Sequence, residues 1–125
     1  MEDMSKFVTQ LRAIEIDRTV HQLTADLVYD DDVEGMITVP KDFVTDYASI
    51  GGLNNVVLFP LFALFATYGN YASSVHDYLY RNGKLTRARA DAVFYRALRV
   101  EGVGKLRAAL FWAGVRIGGA SSYKD

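Results

Sequence analysis

The spacing of apolar residues changes once along this chain, and the change decides the class of fold. In the front part, Leu23, Ala25, Leu27 and Tyr29 alternate with Thr24 and Asp26. That is the period of a strand with one face buried. From residue 71 onward the apolar residues recur three and four apart, the period of a helix. Strands first and helices after predict an α+β domain, in which a small antiparallel sheet of about three strands packs against three or four C-terminal helices. The expectation is a single domain over residues 1–125, with the sheet near 8–40 and the helices near 56–119.

The local signals divide the chain further. Leu11 to Ile16 and Val20 to Tyr29 read as strands. Asp30-Asp31-Asp32-Val33-Glu34-Gly35 reads as a solvated hairpin turn, because its acids lack the spacing of a calcium loop. Met36 to Val39 is the return strand, ended by Pro40. Lys41 to Asn55 crosses over, with a corner at Gly51-Gly52. Val56 to Tyr68 is the most apolar run, and Pro60 leaves it open between helix and irregular core. Tyr71 to Tyr80 has Ala72, Val75, His76, Leu79 and Tyr80 at helical spacing and stops at Asn82-Gly83. Thr86 caps the next helix, whose stripe is Ala90, Val93, Phe94, Ala97 and Leu98. Gly102 ends it. The last stripe is Leu106, Ala109, Leu110, Ala113 and Ile117, with Trp112 beside it as core or subunit contact.

Composition removes several classes of function. Half of the 125 residues are hydrophobic, enough for a core. There is no cysteine, which excludes disulfides, zinc thiolates and cysteine nucleophiles. Met1 to Lys6 carries Glu2 and Asp3 and no basic run before an apolar stretch, so no signal peptide is expected. Val56 to Tyr68 is shorter than the roughly 20 residues of a membrane span. Charge is split: residues 1–80 hold 4 Lys/Arg and 12 Asp/Glu, and residues 81–125 hold 10 and 3. Two oppositely charged faces that pair within one fold explain this, as does self-association through those faces. No aromatic-basic interleaving points to nucleic acid.

The reactive residue types gather in two places. Thr45-Asp46-Tyr47-Ala48-Ser49-Ile50 puts an aspartate and a serine in a turn after a strand. Val75-His76-Asp77-Tyr78-Leu79-Tyr80 puts a histidine on the apolar face of a helix, with a carboxylate beside it. A histidine there needs a partner for its ring nitrogens, which Asp46 or Ser49 could supply. The first reading is therefore a hydrogen-bonded staple of Asp46, Ser49, His76, Asp77 and Tyr80, tying turn to helix. The second is a divalent metal site of Asp46, His76 and Asp77. The third makes Ser49 a nucleophile with His76 as base and Asp46 or Asp77 as orienter, without a G-x-S-x-G elbow. Arg87 and Asp91, one helical turn apart, are expected to pair with each other, although Asp91 can also reach the His76 helix. Lys105, Arg107 and Arg116 would make the outer face of the last helix basic.

Two stretches carry a family resemblance. "ITVPKDFVTDYASI", followed by "VHDYLYRNGKLTRARADAVFYRALRVEGVGKLRAALFWAGVRIGG", resembles a bacteriophage and prophage family of unknown function, domain-of-unknown-function family 1353. The likeness spans about residues 36–119. Gly51 stands where the family carries proline, Tyr47 where it carries phenylalanine, and Thr86 where it carries a capping serine. The resemblance implies phage context and an α+β fold, and no established activity. The expected function is a phage accessory protein without catalysis, associated with the virion or its assembly, working with other phage proteins in the host cytoplasm or the virion. The alternatives are a metal-dependent hydrolase using Asp46, His76 and Asp77, and a binder of a small host molecule or nucleotide.

Overall fold

The computed structural model describes residues 3–16, 20–46, 70–118 and 123. It is an α+β fold, with antiparallel strands in the front part and helices behind. The strands are β1 (Lys6–Phe7), β2 (Ala13–Glu15), β3 (Val20–Leu23), β4 (Leu27–Asp31), β5 (Gly35–Val39) and β6 (Val44–Asp46). The described helices are α1 (Asn70–Asn82), α2 (Arg87–Val100) and α3 (Lys105–Gly118).

Where one sheet of about three strands was expected, the described strands form two three-stranded sheets, ordered β1-β4-β5 and β2-β3-β6. The long strand expected over Val20 to Tyr29 is broken at 24–26. There the chain leaves one sheet for the other, and Leu23 and Leu27 on either side of the break are both fully buried. The alternation therefore persists through a bend that it does not reveal. Val44–Asp46 also departs from expectation, since it is a strand and not part of a crossover. It pairs with β3 in the register Val20↔Asp46, His21↔Thr45 and Gln22↔Val44. The expected readings of Tyr47, Ser49, the Gly51-Gly52 corner and Val56 to Tyr68 lie outside the described residues.

The core fills the space between the β4-β5 hairpin and the helices. Leu27, Tyr29, Ile37 and Val39 project from the hairpin onto Ala72, Val75 and Leu79 of α1 and Val93, Phe94 and Ala97 of α2. Thr86 caps α2 as its sequence predicts, its hydroxyl accepting from the Arg89 N–H at 3.2 Å. Gly83 and Gly102 follow α1 and α2 with φ of +64° and +93°, in the left-handed region that glycine enters without strain. At the other end of α1, Glu101 accepts from the backbone N–H of Ala72 at 2.5 Å. This supplies one orphan N–H with a partner and sets a negative charge at the positive end of the helix.

The hairpin turn holds a buried charge where a solvated one was expected. Asp31 is 2% exposed. Its carboxylate accepts Arg96 in a fork, with Nε at 3.0 Å and Nη2 at 2.9 Å. It also accepts the Tyr29 hydroxyl at 2.9 Å and the N–H groups of Val33 and Glu34 at 3.1 and 2.9 Å. Burial alone would raise its pKa. The hydrogen bonds from Arg96, Glu34 N–H and Tyr29 outweigh burial and hold it below the ordinary carboxylate value. Glu34 pairs with Arg89 on the same side. Two bases of the cationic back part thus meet two acids of the anionic front within the chain.

The three consecutive aspartates should separate sharply in denaturant titrations. Asp31→Ala removes the sole acid in this set of bonds and is expected to cost about 3 kcal/mol. Asp32→Ala, at an exposed turn position, should stay within about 0.5 kcal/mol of the parent. Equal effects would show that the fork is not what holds the hairpin to α2.

Candidate functional site

Asp91, in the middle of α2, is completely buried among apolar residues. The 3-4 stripe of α2 is what puts it there: it follows Ala90, one turn before Phe94, on the side that faces both neighbouring helices. α1 supplies two donors from successive turns. His76 Nε2 lies 2.7 Å from Asp91 Oδ1, and the Tyr80 hydroxyl donates to the same oxygen at 2.5 Å. α3 supplies the third, with Arg116 Nη1 donating to Oδ2 at 2.9 Å. One carboxylate thereby joins three helices.

The electrostatics are consistent with an ionised Asp91. Burial pushes its carboxyl up, but the bonds from His76, Tyr80 and Arg116 pull it down further, to below the ordinary value. A carboxylate only accepts, so His76 Nε2 carries the hydrogen. Burial and then the Asp91 carboxylate raise the Tyr80 phenol well above its usual range, which keeps Tyr80 a donor. The imidazole lies against the rings of Tyr80 and Phe94, with centroids at 4.1 and 4.6 Å. Tyr123 packs edge-on to Tyr80 and donates to the Leu85 carbonyl, covering this side of the cluster. His76 and Tyr80 are each 2% exposed.

The expected site residues are distributed differently from the staple drawn on sequence. His76, Tyr80 and Asp91 converge. Arg87 joins them indirectly: its Nη2 donates to the Arg116 carbonyl at 2.9 Å, while the ion pair on Asp91 comes from Arg116. Asp77, next to His76 but turned about 100° around the helix, lies 3.3 Å from Arg81 Nε one turn on. The backbone of Asp46 ends β6, and the Asp46 side chain and Ser49 lie outside the described residues. The described tie between the helix and that strand is made by Arg81, whose Nη1 donates to the Val44 carbonyl at 2.8 Å and whose guanidinium sits over Phe43. Among the described residues, no three His, Asp or Glu side chains gather closely enough to hold a metal ion. Nor is any described helix long and apolar enough to cross a membrane.

Arg116 is the member of the cluster that the sequence hid. Its helix is apolar on two sides, so the period alone does not select the buried face. Ala108, Phe111, Gly114 and Val115 face inward, and the expected stripe of Leu106, Leu110 and Ile117 faces out. Those buried residues pack α3 on its neighbours, and this places Arg116 within reach of Asp91.

The match to a family falls on this same framework. The model of the family described as "Protein of unknown function (DUF1353)" covers residues 21–115, from β3 through the packed part of α3. The chain belongs to the DUF1353 family. His76, Tyr80 and Asp91 of the cluster lie within that span, as do Arg87, Asp77 and Arg81 beside them, and Arg116 falls just past its end. No curated protein and no solved structure matches the chain.

The acid limb of the stability profile follows from Asp91. Its folded pKa lies below an unfolded value of about 3.9, so its stabilisation is present above that pH and is lost as pH falls through the folded value. Asp31 contributes with the same sign. In the parent, urea midpoints should fall steeply below about pH 4. Asp91→Asn should cost about 3 kcal/mol near neutrality and make that limb shallower. A limb of unchanged slope would contradict an ionised, hydrogen-bonded Asp91.

Proposed function

We propose that this DUF1353 protein is a phage- or prophage-encoded accessory protein without catalytic activity, acting in particle assembly or carried in the virion. The observation that carries the reading is the closure of its polar cluster. His76 and Asp91 form a histidine–carboxylate pair, the kind of arrangement that acid-base chemistry uses, and they are 2% and 0% exposed. A general base must come within hydrogen-bond reach of its substrate, whereas here the donor nitrogen of His76 is spent on Asp91 and the ring is covered by Tyr80 and Phe94. The resemblance of the T-D-Y-A-S-I and H-D-Y-L-Y stretches to phage and prophage sequences supports the setting.

A small-molecule binder is the second reading, and one feature favours it. A groove of about 330 Å³ runs between β5 and the end of α1, lined in part by Met36, Thr38, Tyr78, Asn82 and Lys84. Its volume sits at the lower end of ligand pockets, which span roughly 300–1,000 Å³, and it lies apart from the polar cluster.

Particles purified from a host carrying the gene test the first reading. Mass spectrometry should find the chain in mature particles or in assembly intermediates that sediment with capsid or tail proteins. The purified chain should also leave phosphoester and peptide substrates intact with zinc or manganese added. A metal-stimulated hydrolysis that is abolished in a folded His76→Ala variant would overturn the proposal.

A further inference from the structure

The groove between β5 and the end of α1 has most of its acceptors spent and its donors left over. Its charged lining residues are Glu34 and Lys84. Glu34 is taken, because its two carboxylate oxygens accept Nε and Nη2 of Arg89. Lys84 is exposed and has no ion-pair partner among the described residues. The groove therefore keeps one uncompensated positive charge. The side-chain oxygen of Asn82 accepts the Lys84 backbone N–H at 2.9 Å, which leaves the amide N–H groups to donate. The Leu85 carbonyl is likewise taken, by the Tyr123 hydroxyl. The positive end of α2 starts at Thr86, one residue past Leu85 of the lining, and no acid stands in its first turn.

Apolar side chains make up much of the remaining lining. Ile37 and Leu79 are 8% and 3% exposed and form the floor, and Met36, 62% exposed, stands at the rim. Three consecutive residues of β5, from Met36 to Thr38, line the groove. Their side chains alternate in direction, so the groove follows the edge of the strand, on which no described strand pairs with β5. Three strand residues span about 10 Å. That length and a volume of about 330 Å³ suit a molecule of one ring or a short chain.

We infer that the groove binds a small apolar molecule ending in a carboxylate or a phosphate, with the anion at Lys84 and Asn82 and the apolar body on Ile37 and Leu79. This rests on the small-molecule reading of the groove and names the ligand class for it. A ligand that fills the groove takes water from Lys84, and only an anion offsets that loss with charge. A cationic ligand would meet like charge. A donor-rich neutral one would find the oxygens of Glu34, Asn82 and Leu85 already engaged. No residue of the buried cluster lines the groove, so binding involves no chemical step.

Amide NMR spectra of the isotope-labelled full chain test this with three matched probes: phenylacetate, phenyl phosphate and neutral phenylacetamide. At least one of the anions should shift the amides of Met36, Thr38, Asn82 and Leu85 saturably and bind roughly tenfold tighter than phenylacetamide. The tighter of the two anions names the headgroup. Lys84→Gln should lose this preference and keep the parent melting curve, since the side chain is exposed. Equal binding of acid and amide, or a preference that survives Lys84→Gln, would overturn the inference and leave the groove a ligand site. No saturable shift with any probe would overturn the inference and the small-molecule reading together. Slowed amide exchange along β5 with an extended acidic tetrapeptide, and with none of the three probes, would assign the edge to strand addition instead.

Discussion

Burying a carboxylate in an apolar core is costly, and this fold is arranged around two places where that cost is met. Asp91 is fully enclosed and remains below its ordinary pKa because His76, Tyr80 and Arg116 converge on it. Asp31 is nearly enclosed and is held by Arg96, Tyr29 and the turn backbone. Both arrangements run through α2, which carries Asp91 toward the helices and Arg96 toward the hairpin. Apolar burial is non-directional, whereas a charge-assisted hydrogen bond is short and fixes the geometry between its partners. The register of α1, α2, α3 and the β4-β5 hairpin is thus set by two aspartates, and the leucine, valine and phenylalanine side chains fill the space so defined.

The regular parts of the fold were legible in the sequence. The α+β class, the start of α2 at Thr86 and the stops at Gly83 and Gly102 each follow from local chemistry that tertiary contacts do not override. The divisions within the sheet were not, because alternation continues from Leu23 to Leu27 across a bend and the three residues Val44–Asp46 are too few to show a period. The buried face of α3 was misread for a different reason. That helix is apolar on two sides, so its period alone does not select between them.

The candidate site was half legible. A histidine on an apolar stripe signals a buried partner, and His76 has one. Adjacency along the chain suggested Asp77 and the 46–49 turn as its neighbours, but Asp77 projects from another side of the helix toward Arg81. The partner is Asp91, fifteen residues on. Two helices joined by the short Gly83–Thr86 connection run side by side, and that geometry, more than sequence proximity, brings the pair together. On the proposed reading this chemistry is spent on architecture.

A double-mutant cycle between Asp91→Asn and Arg116→Met measures the central claim most directly. If Asp91 is an ionised hub that α3 helps to neutralise, the two changes share one interaction. Denaturant titrations should then give a coupling energy of about 1–3 kcal/mol, with the double variant more stable than the sum of the singles predicts. Additive losses would mean that Arg116 and Asp91 contribute separately, and that the helices are held by apolar packing alone.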